Sequence, residues 1–450
     1  MNVIIVGAGN VGSTSADALS KAHDVLIIEK DPEKVDNARA SINASVLHDD
    51  GSNPKVLEAA IDRVDADVML SAVPDDSLNL FICLMAKRIK PSIITVACLR
   101  DPDYIVKTAE EGEAGIDILV SPELITAGKI EKLATLENAV SYDDVSNLGV
   151  ALATFRIRRN HGPVGKVVMD LPLPEDCDII AIYRGDSVIL NCETAEIHAD
   201  DRICVLGSHA SIEQVNKIVG IDKEAKEFVI LGASIVGIEV AKSLLKSGKK
   251  RFIKIIEKDE NLCRYASREL DNAIIVNADF VDPSVLRSEN VHRADVVISA
   301  SAMDERNLLA CMAALRFGTK KIISKYSKRE YEGIFKYTGI ESIIGYHRVI
   351  SNEVTKHLVF DDRAILNTGH EGEYFFASVL DKHSILVGNR LGDVNMPEGM
   401  RIAAVMRGGE PIYPHMDTMF MPNDKVLVFT YMANPVEITR LLGQKTPLGL

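Results

Sequence analysis

The chain has 450 residues, of which 47% are apolar and 26% charged, and it contains no Trp. That length exceeds what one hydrophobic core serves, so about three or four domains are expected. A formal net charge of −14 argues against a nucleic-acid partner, which needs a basic footprint to displace counterions.

From Met1 to about Thr135, apolar strands alternate with amphipathic helices. Strands are predicted at 2–6, 24–29, 44–47, 67–73, 93–98 and 117–120, with helices at 12–22, 31–40, 54–60 and 78–89. Asp31-Pro-Glu and Asn53-Pro place proline in a first helical turn, and Asp101-Pro-Asp opens a further helix. Residues 122–135 read as a helix that ends this segment, and 352–359 end the second half likewise. Strands rich in Ile, Val, Leu and Ala between helices predict an α/β fold, a Rossmann-like doubly wound parallel sheet.

The chain then repeats itself. Gly7-Ala-Gly-Asn-Val-Gly12 follows the strand at 2–6, and about 225 residues later Gly232-Ala-Ser-Ile-Val-Gly237 follows Glu227-Phe-Val-Ile-Leu231. Glu29-Lys-Asp31 matches Glu257-Lys-Asp259, Asp50 matches Asp279, and Asp76-Ser-Leu-Asn79 matches Asp304-Glu-Arg-Asn307. Each copy is followed by a smaller unit of short β runs around one helix, and these units also match, as in 179–185 with 402–408. The expected architecture is therefore a duplicated pair of large and small α+β domains, with bounds 1–136, 137–222, 223–360 and 361–450. A polar hinge falls at 220–226.

The glycine loop carries the chemistry. Its first glycine makes the strand-to-helix turn, its second lets the backbone approach a pyrophosphate, and its third lets helix and strand pack. The first site is expected to use Gly7, Ala8, Gly9, Asn10, Val11 and Gly12 around phosphate. Glu29, ending the second strand, would accept from ribose hydroxyls and disfavour a 2′-phosphate. Asp31 reads as a helix cap, and Asp50 either reaches an adenine amino group or forms a turn. The second site would use Gly232, Ala233, Ser234, Ile235, Val236 and Gly237, with Glu257 and Asp279. Ser234 replaces the middle glycine, so a shifted or weaker site is expected there.

Catalytic signatures are not found. There is no Tyr-x-x-x-Lys pair, no Gly-x-Ser-x-Gly elbow and no Gly-x-x-x-x-Gly-Lys-Ser/Thr loop, and the eleven histidines are scattered. Lys107 and Lys325 read as surface or phosphate contacts. The seven cysteines (Cys83, Cys98, Cys177, Cys192, Cys204, Cys263, Cys311) show no CxxC spacing, which suits buried, reduced thiols in a cytosolic protein without a metal. The sequence opens in a strand without a charged leader, and no apolar run reaches the ~18 residues of a membrane span. A sensor therefore fits better than a catalyst. A soluble NAD-dependent oxidoreductase and a scaffold with permanently bound nucleotide remain the alternatives.

The order of parts resembles the tandem RCK (or KTN) family of potassium-conductance regulators. Besides the two loops, the resemblance rests on Glu29, Asp50-Gly-Ser52, Ala66-Asp-Val68, Asp304-Glu-Arg-Asn307 and Arg100-Asp-Pro-Asp-Tyr104, and it covers nearly the whole chain. It implies a cytoplasmic regulator that binds NAD(H) and ATP or ADP. Such a regulator would form a homo-oligomeric, tetrameric ring at the membrane beneath a potassium transporter subunit of the Trk type. It adds Ala72 and Val73 to the first site, and Arg100 as either a phosphate contact or a cap of the helix that follows. Where the family commonly has Ala-Arg-Val-Arg, this chain has Ala97-Cys-Leu-Arg100, so one expected phosphate-side arginine is Cys98.

Overall fold

The computed structural model of the chain describes residues 1–20, 23–105, 115–145, 148–190, 192–220, 224–358, 365–366 and 373–443. Lys107, the end of the first predicted helix, most of the helix opened by Asp101-Pro-Asp and the hinge residues 221–223 lie outside them.

The first large sheet contains β1 (Asn2–Val6), β2 (Asp24–Glu29), β3 (Ser45–His48), β4 (Val68–Ser71), β5 (Ile94–Cys98) and β6 (Ile118–Val120), all parallel, in the order β3-β2-β1-β4-β5-β6. A small antiparallel sheet follows, made of β7 (Ala139–Val145), β8 (Val150–Arg156), β9 (Cys177–Arg184), β10 (Ser187–Ile189) and β11 (Arg202–Gly207), with one helix at His209–Val219. The second large sheet repeats the first with β12 (Glu227–Leu231), β13 (Phe252–Glu257), β14 (Ala273–Asn277), β15 (Val296–Ser299), β16 (Ile322–Tyr326) and β17 (Ser342–Gly345). The second small sheet comprises β18 (Ile365–Leu366), β19 (Glu373–Val379), β20 (Met400–Arg407), β21 (Glu410–Ile412) and β22 (Lys425–Tyr431), with a helix at Pro435–Leu442. The Rossmann-like α/β architecture with small α+β partners is thus present twice.

Like packs with like. One compact unit joins Met1–Ile130 to Glu227–Leu358, and another joins Glu131–Lys226 to Val359–Leu450. In the first unit, Ile350 and Val354 of the helix Tyr346–Leu358 are fully buried in the core of the first sheet, with Ala16 and Leu19 of the helix Asn10–Leu19. Burying two such aliphatic side chains stabilises the pairing by about 1.5–3 kcal/mol each. That helix begins at Tyr346, six residues before the predicted start. Its extra turn carries the buried Val349 and Ile350.

In the second unit the two small sheets share one core, with Leu152, Ile180 and Leu206 of one against Phe375, Leu427 and Phe429 of the other. Each keeps the same ion pair, a part-exposed arginine on a buried aspartate. Arg184 is bidentate to Asp201 at 2.9 and 2.7 Å, and Arg407 to Asp424 at 2.9 and 2.7 Å. All seven cysteines are free and buried. No helix among the described residues is long and apolar enough to cross a membrane.

Candidate functional site

The order β3-β2-β1-β4-β5-β6 reverses direction between β1 and β4, and ligands of such sheets bind at the carboxyl ends of the strands at that reversal. The glycine loop of the first copy sits there. Gly7 has φ +100°, and a Cβ on Gly12 would fall 1.8 Å from the Gly7 carbonyl oxygen, so loop and helix meet as only glycine permits. A Cβ on Gly9 would meet nothing within 4 Å. Gly9 is the N-cap of the helix Asn10–Leu19 and offers no side-chain cap, so the helix terminus faces open space with its amides available to an anion. These features fit a pyrophosphate.

Glu29 is 7% exposed and holds the loop in place. One carboxylate oxygen accepts from the Ala8 amide at 2.6 Å, and the other from the Lys30 and Asp31 amides at 2.8 and 2.9 Å. A carboxylate has roughly four acceptor directions, so about one remains for a hydroxyl. Asp31 caps the helix Pro32–Ser41, as its position predicts. Asp50 forms a turn, accepting from the Ser52 hydroxyl at 2.7 Å and amide at 2.9 Å; these bonds hold its carboxyl below the ordinary carboxylate range.

The ends of β4 and β5 are fastened by one fully buried amide. Asn79 accepts from the Ser71 hydroxyl and the Val73 amide, both at 2.8 Å, and donates to the carbonyls of Val73 and Cys98 at 2.9 and 2.8 Å. Asn307 repeats this in the second copy with Ser299, Ser301 and Lys325. Asp76 accepts from the Arg100 and Asp101 amides, leaving the Arg100 side chain exposed.

A single cavity of about 880 Å³ gathers these groups, and it is walled by both copies. From the first copy, Gly7, Gly9, Asn10 and Val11 line it, with Glu29 and Asp50 toward one end and Ala72, Val73 and Arg100 toward the other. From the second copy come Ala233, Ser234, Ile235, Val236 and Glu257. Ala8, Gly12, Gly232 and Gly237 are behind the wall, and Asp279 is elsewhere.

Models of two domain families match this chain twice each. The TrkA-N domain matches residues 3–122 and 228–346, and the TrkA-C domain matches 152–220 and 375–442. The chain belongs to the TrkA family. It is similar to Trk system potassium uptake protein TrkA homolog 1 of Methanosarcina mazei, at 30% identity over 98% of this chain and 99% of that one. Among solved structures, the GsuK RCK domain superposes with a TM-score of 0.63 at 16% identity, over 96% of this chain and 92% of that one. The GsuK channel bound to NAD has the same TM-score at 15% identity, over 96% and 76%. The RCK fold is therefore established.

The two TrkA-N copies are not equivalent. Ser234 does more than crowd the loop. Its hydroxyl donates to the Ala300 carbonyl and accepts from the Gly237 amide at 3.2 Å, capping the helix Ile235–Lys246, whereas the matching helix of the first copy has no side-chain cap. At the other end of the second copy, Phe280 stands where Gly51 stands in the first, and Arg306 stands for Leu78. Phe280 is 1% exposed. Arg306 lies 4.7 Å over its ring and bonds Asp279 at 2.6 Å, while Lys258 bonds the other oxygen at 3.1 Å. Burial works to raise the Asp279 carboxyl, but the Val281 amide and these two cations hold it below the ordinary range. The slot that Asp50 borders in the first copy is filled by side chains in the second.

Two further wall residues, Glu123 and Tyr346, were not singled out as ligand contacts by sequence. Lys325 was expected on the surface or at a phosphate; it is 5% exposed, at the end of β16, with its ammonium 5.2 Å over the Tyr346 ring. Glu123 begins the helix Pro122–Thr135 in the first copy and accepts from the Tyr346 hydroxyl of the second at 2.6 Å. The sequence signal for Lys325 was its isolation within an apolar strand.

Proposed function

We propose that this chain is the nucleotide-responsive regulatory subunit of a potassium uptake system. NAD(H) and adenine nucleotides lie on the first cradle. Gly7 to Val11 hold the phosphates, Glu29 the ribose and Asp50 the adenine, while Ala72, Val73 and Arg100 line the remaining length. Ala233 to Val236 and Glu257 belong to the facing wall, with Gly232 and Gly237 behind it, while Asp279 is held by Arg306 and Lys258 away from the cavity.

The observation that carries this reading is the shared cavity: a complete phosphate cradle opens onto space whose opposite side is the other copy. A ligand touching both walls has a binding energy that depends on their separation. Two nucleotides that differ in fit therefore bias the arrangement by the difference, typically about 1–3 kcal/mol. The relative named for the Trk potassium uptake system supports a membrane potassium transporter of that type as partner, and the NAD-bound GsuK channel supports the dinucleotide. The protein would act peripherally, from the cytoplasmic face, as a homotetrameric ring.

Calorimetric titration with NAD, NADH, ATP and ADP, alone and with the reconstituted transporter, tests this. Unequal affinities that shift when the partner is present, matched by unequal potassium flux, are expected. Equal affinities of all four for the free and partner-bound states would end the proposal. Native mass measurement tests the ring.

A further inference from the structure

The far end of the cavity is equipped differently from the cradle. Glu123 follows β6, and the sheet order places it at the opposite edge from Asp50, beyond β4 and β5. One of its carboxylate oxygens accepts from Tyr346; the other, Oε2, is buried and has no hydrogen-bond partner. Glu123 as a whole is only 9% exposed and lines the cavity. Facing the same space, the Lys325 ammonium donates to the Ser327 hydroxyl at 3.1 Å and lies over the Tyr346 ring, which leaves ammonium hydrogens for another acceptor. The site thus presents one vacant acceptor, one charged donor and the side of an aromatic ring.

A buried, unpartnered carboxylate oxygen costs free energy unless something donates to it. A primary carboxamide carries N–H and C=O together and satisfies both the acceptor and the donor. A terminal phosphate would satisfy Lys325 but set its oxygens against Glu123. The length of the cavity agrees, because a dinucleotide crosses the strand-order reversal and delivers its second base to the β4-β5-β6 side.

We propose that Glu123 and Lys325, braced by Tyr346, form the subsite that recognises the carboxamide end of a nicotinamide dinucleotide whose adenylate half lies on Gly7 to Val11. The ligand is then shared by the two copies, and the second copy contributes recognition of its far end, not an adenylate site of its own. This rests on the nucleotide reading of the first cradle.

The test is calorimetry on the full chain with NAD, nicotinic acid adenine dinucleotide, ADP-ribose, ADP and ATP. ADP-ribose lacks the whole ring, and the nicotinic acid compound replaces the carboxamide by a carboxylate that would face Glu123. We expect one NAD per chain, bound about tenfold or more tighter than either analogue. Glu123→Gln should narrow the gap between NAD and its carboxylate analogue, because a glutamine amide donates to a carboxylate. Lys325→Met should weaken NAD while ADP affinity stays unchanged, which also reports that the variant is folded. Equal binding of NAD and ADP-ribose by the wild type would overturn the subsite while leaving the cradle intact. ATP bound more tightly than NAD, and weakened by Lys325→Met but not by Glu123→Gln, would replace it with a phosphate site. Absence of both ADP and NAD binding would remove the cradle reading and this inference together.

Discussion

The Tyr346 hydroxyl donates to the Glu123 carboxylate at 2.6 Å, joining the two TrkA-N copies across 223 positions of sequence. Burial raises the Glu123 carboxyl above its ordinary value near 4.5, and the hydrogen bond from Tyr346 opposes that rise. Tyr346→Phe removes that donor and leaves both carboxylate oxygens buried without a partner. We expect a loss of about 1–3 kcal/mol in urea unfolding. A group with a raised folded pKa contributes stability below its unfolded value and loses it as pH rises through the folded one. The deficit of Tyr346→Phe should therefore be smallest at acid pH and grow as pH rises through the raised folded-state value of Glu123, above 4.5.

The first cradle was legible because everything it needs is local: a strand, a loop with glycines at fixed spacing and a helix, repeated 225 residues on. Asp31 was legible as a cap for the same reason. The filled slot of the second copy was not, although the exchanges of Gly51 for Phe280 and Leu78 for Arg306 were visible in the repeat. The meaning of those exchanges depends on Asp279, Phe280 and Arg306 meeting in space. Tyr346 was missed, and Lys325 was left between the surface and a phosphate, because the surface they face belongs to the other copy, and sequence periodicity carries no information about it.

That contrast predicts a transplant. Leu78 lines the cavity near Asp50, and Arg306 is its counterpart in the second copy. Leu78→Arg should bring a guanidinium to Asp50 and close the slot, as Arg306 does with Asp279. Affinity for ADP should fall about tenfold or more by calorimetry, with little change in unfolding midpoint. Unchanged affinity would mean that adenine lies elsewhere.

In the small domains, Asp201 is 1% exposed and its carboxylate receives Arg184 bidentately and the His198 amide at 2.8 Å. Asp201→Asn leaves a guanidinium without its counter-charge, at an expected cost of about 2–4 kcal/mol in chemical unfolding. The exposed pair of Arg390 with Asp417, whose aspartate side chain is 92% exposed, should cost below about 0.5 kcal/mol when removed. Equal effects of the two substitutions would contradict the distinction between a buried and an exposed aspartate.

Glu332 supplies a pH prediction with the opposite sign from Glu123. Burial would raise its carboxyl, but Arg348 at 2.6 Å and Lys336 at 2.9 Å outweigh burial and hold it at about 2. A depressed folded pKa contributes stability above the unfolded value near 4.5 and loses it as pH falls toward about 2. Glu332→Gln should be less stable than wild type by about 2 kcal/mol at pH 7, and the difference should shrink between about pH 4.5 and 2. Unfolding followed by circular dichroism across that range checks it.

The central claim is that the first glycine loop grips a nucleotide's phosphates. Gly9 has φ −70° and open space where a Cβ would stand, so Gly9→Asp keeps the fold while setting a carboxylate at the helix N-terminus. Calorimetric titration of wild type and Gly9→Asp with NAD and ADP is the direct test. Saturable binding by the wild type, lost about a hundredfold or more in a variant with an unchanged unfolding midpoint, is the predicted result. Equal binding by the two proteins would contradict the account.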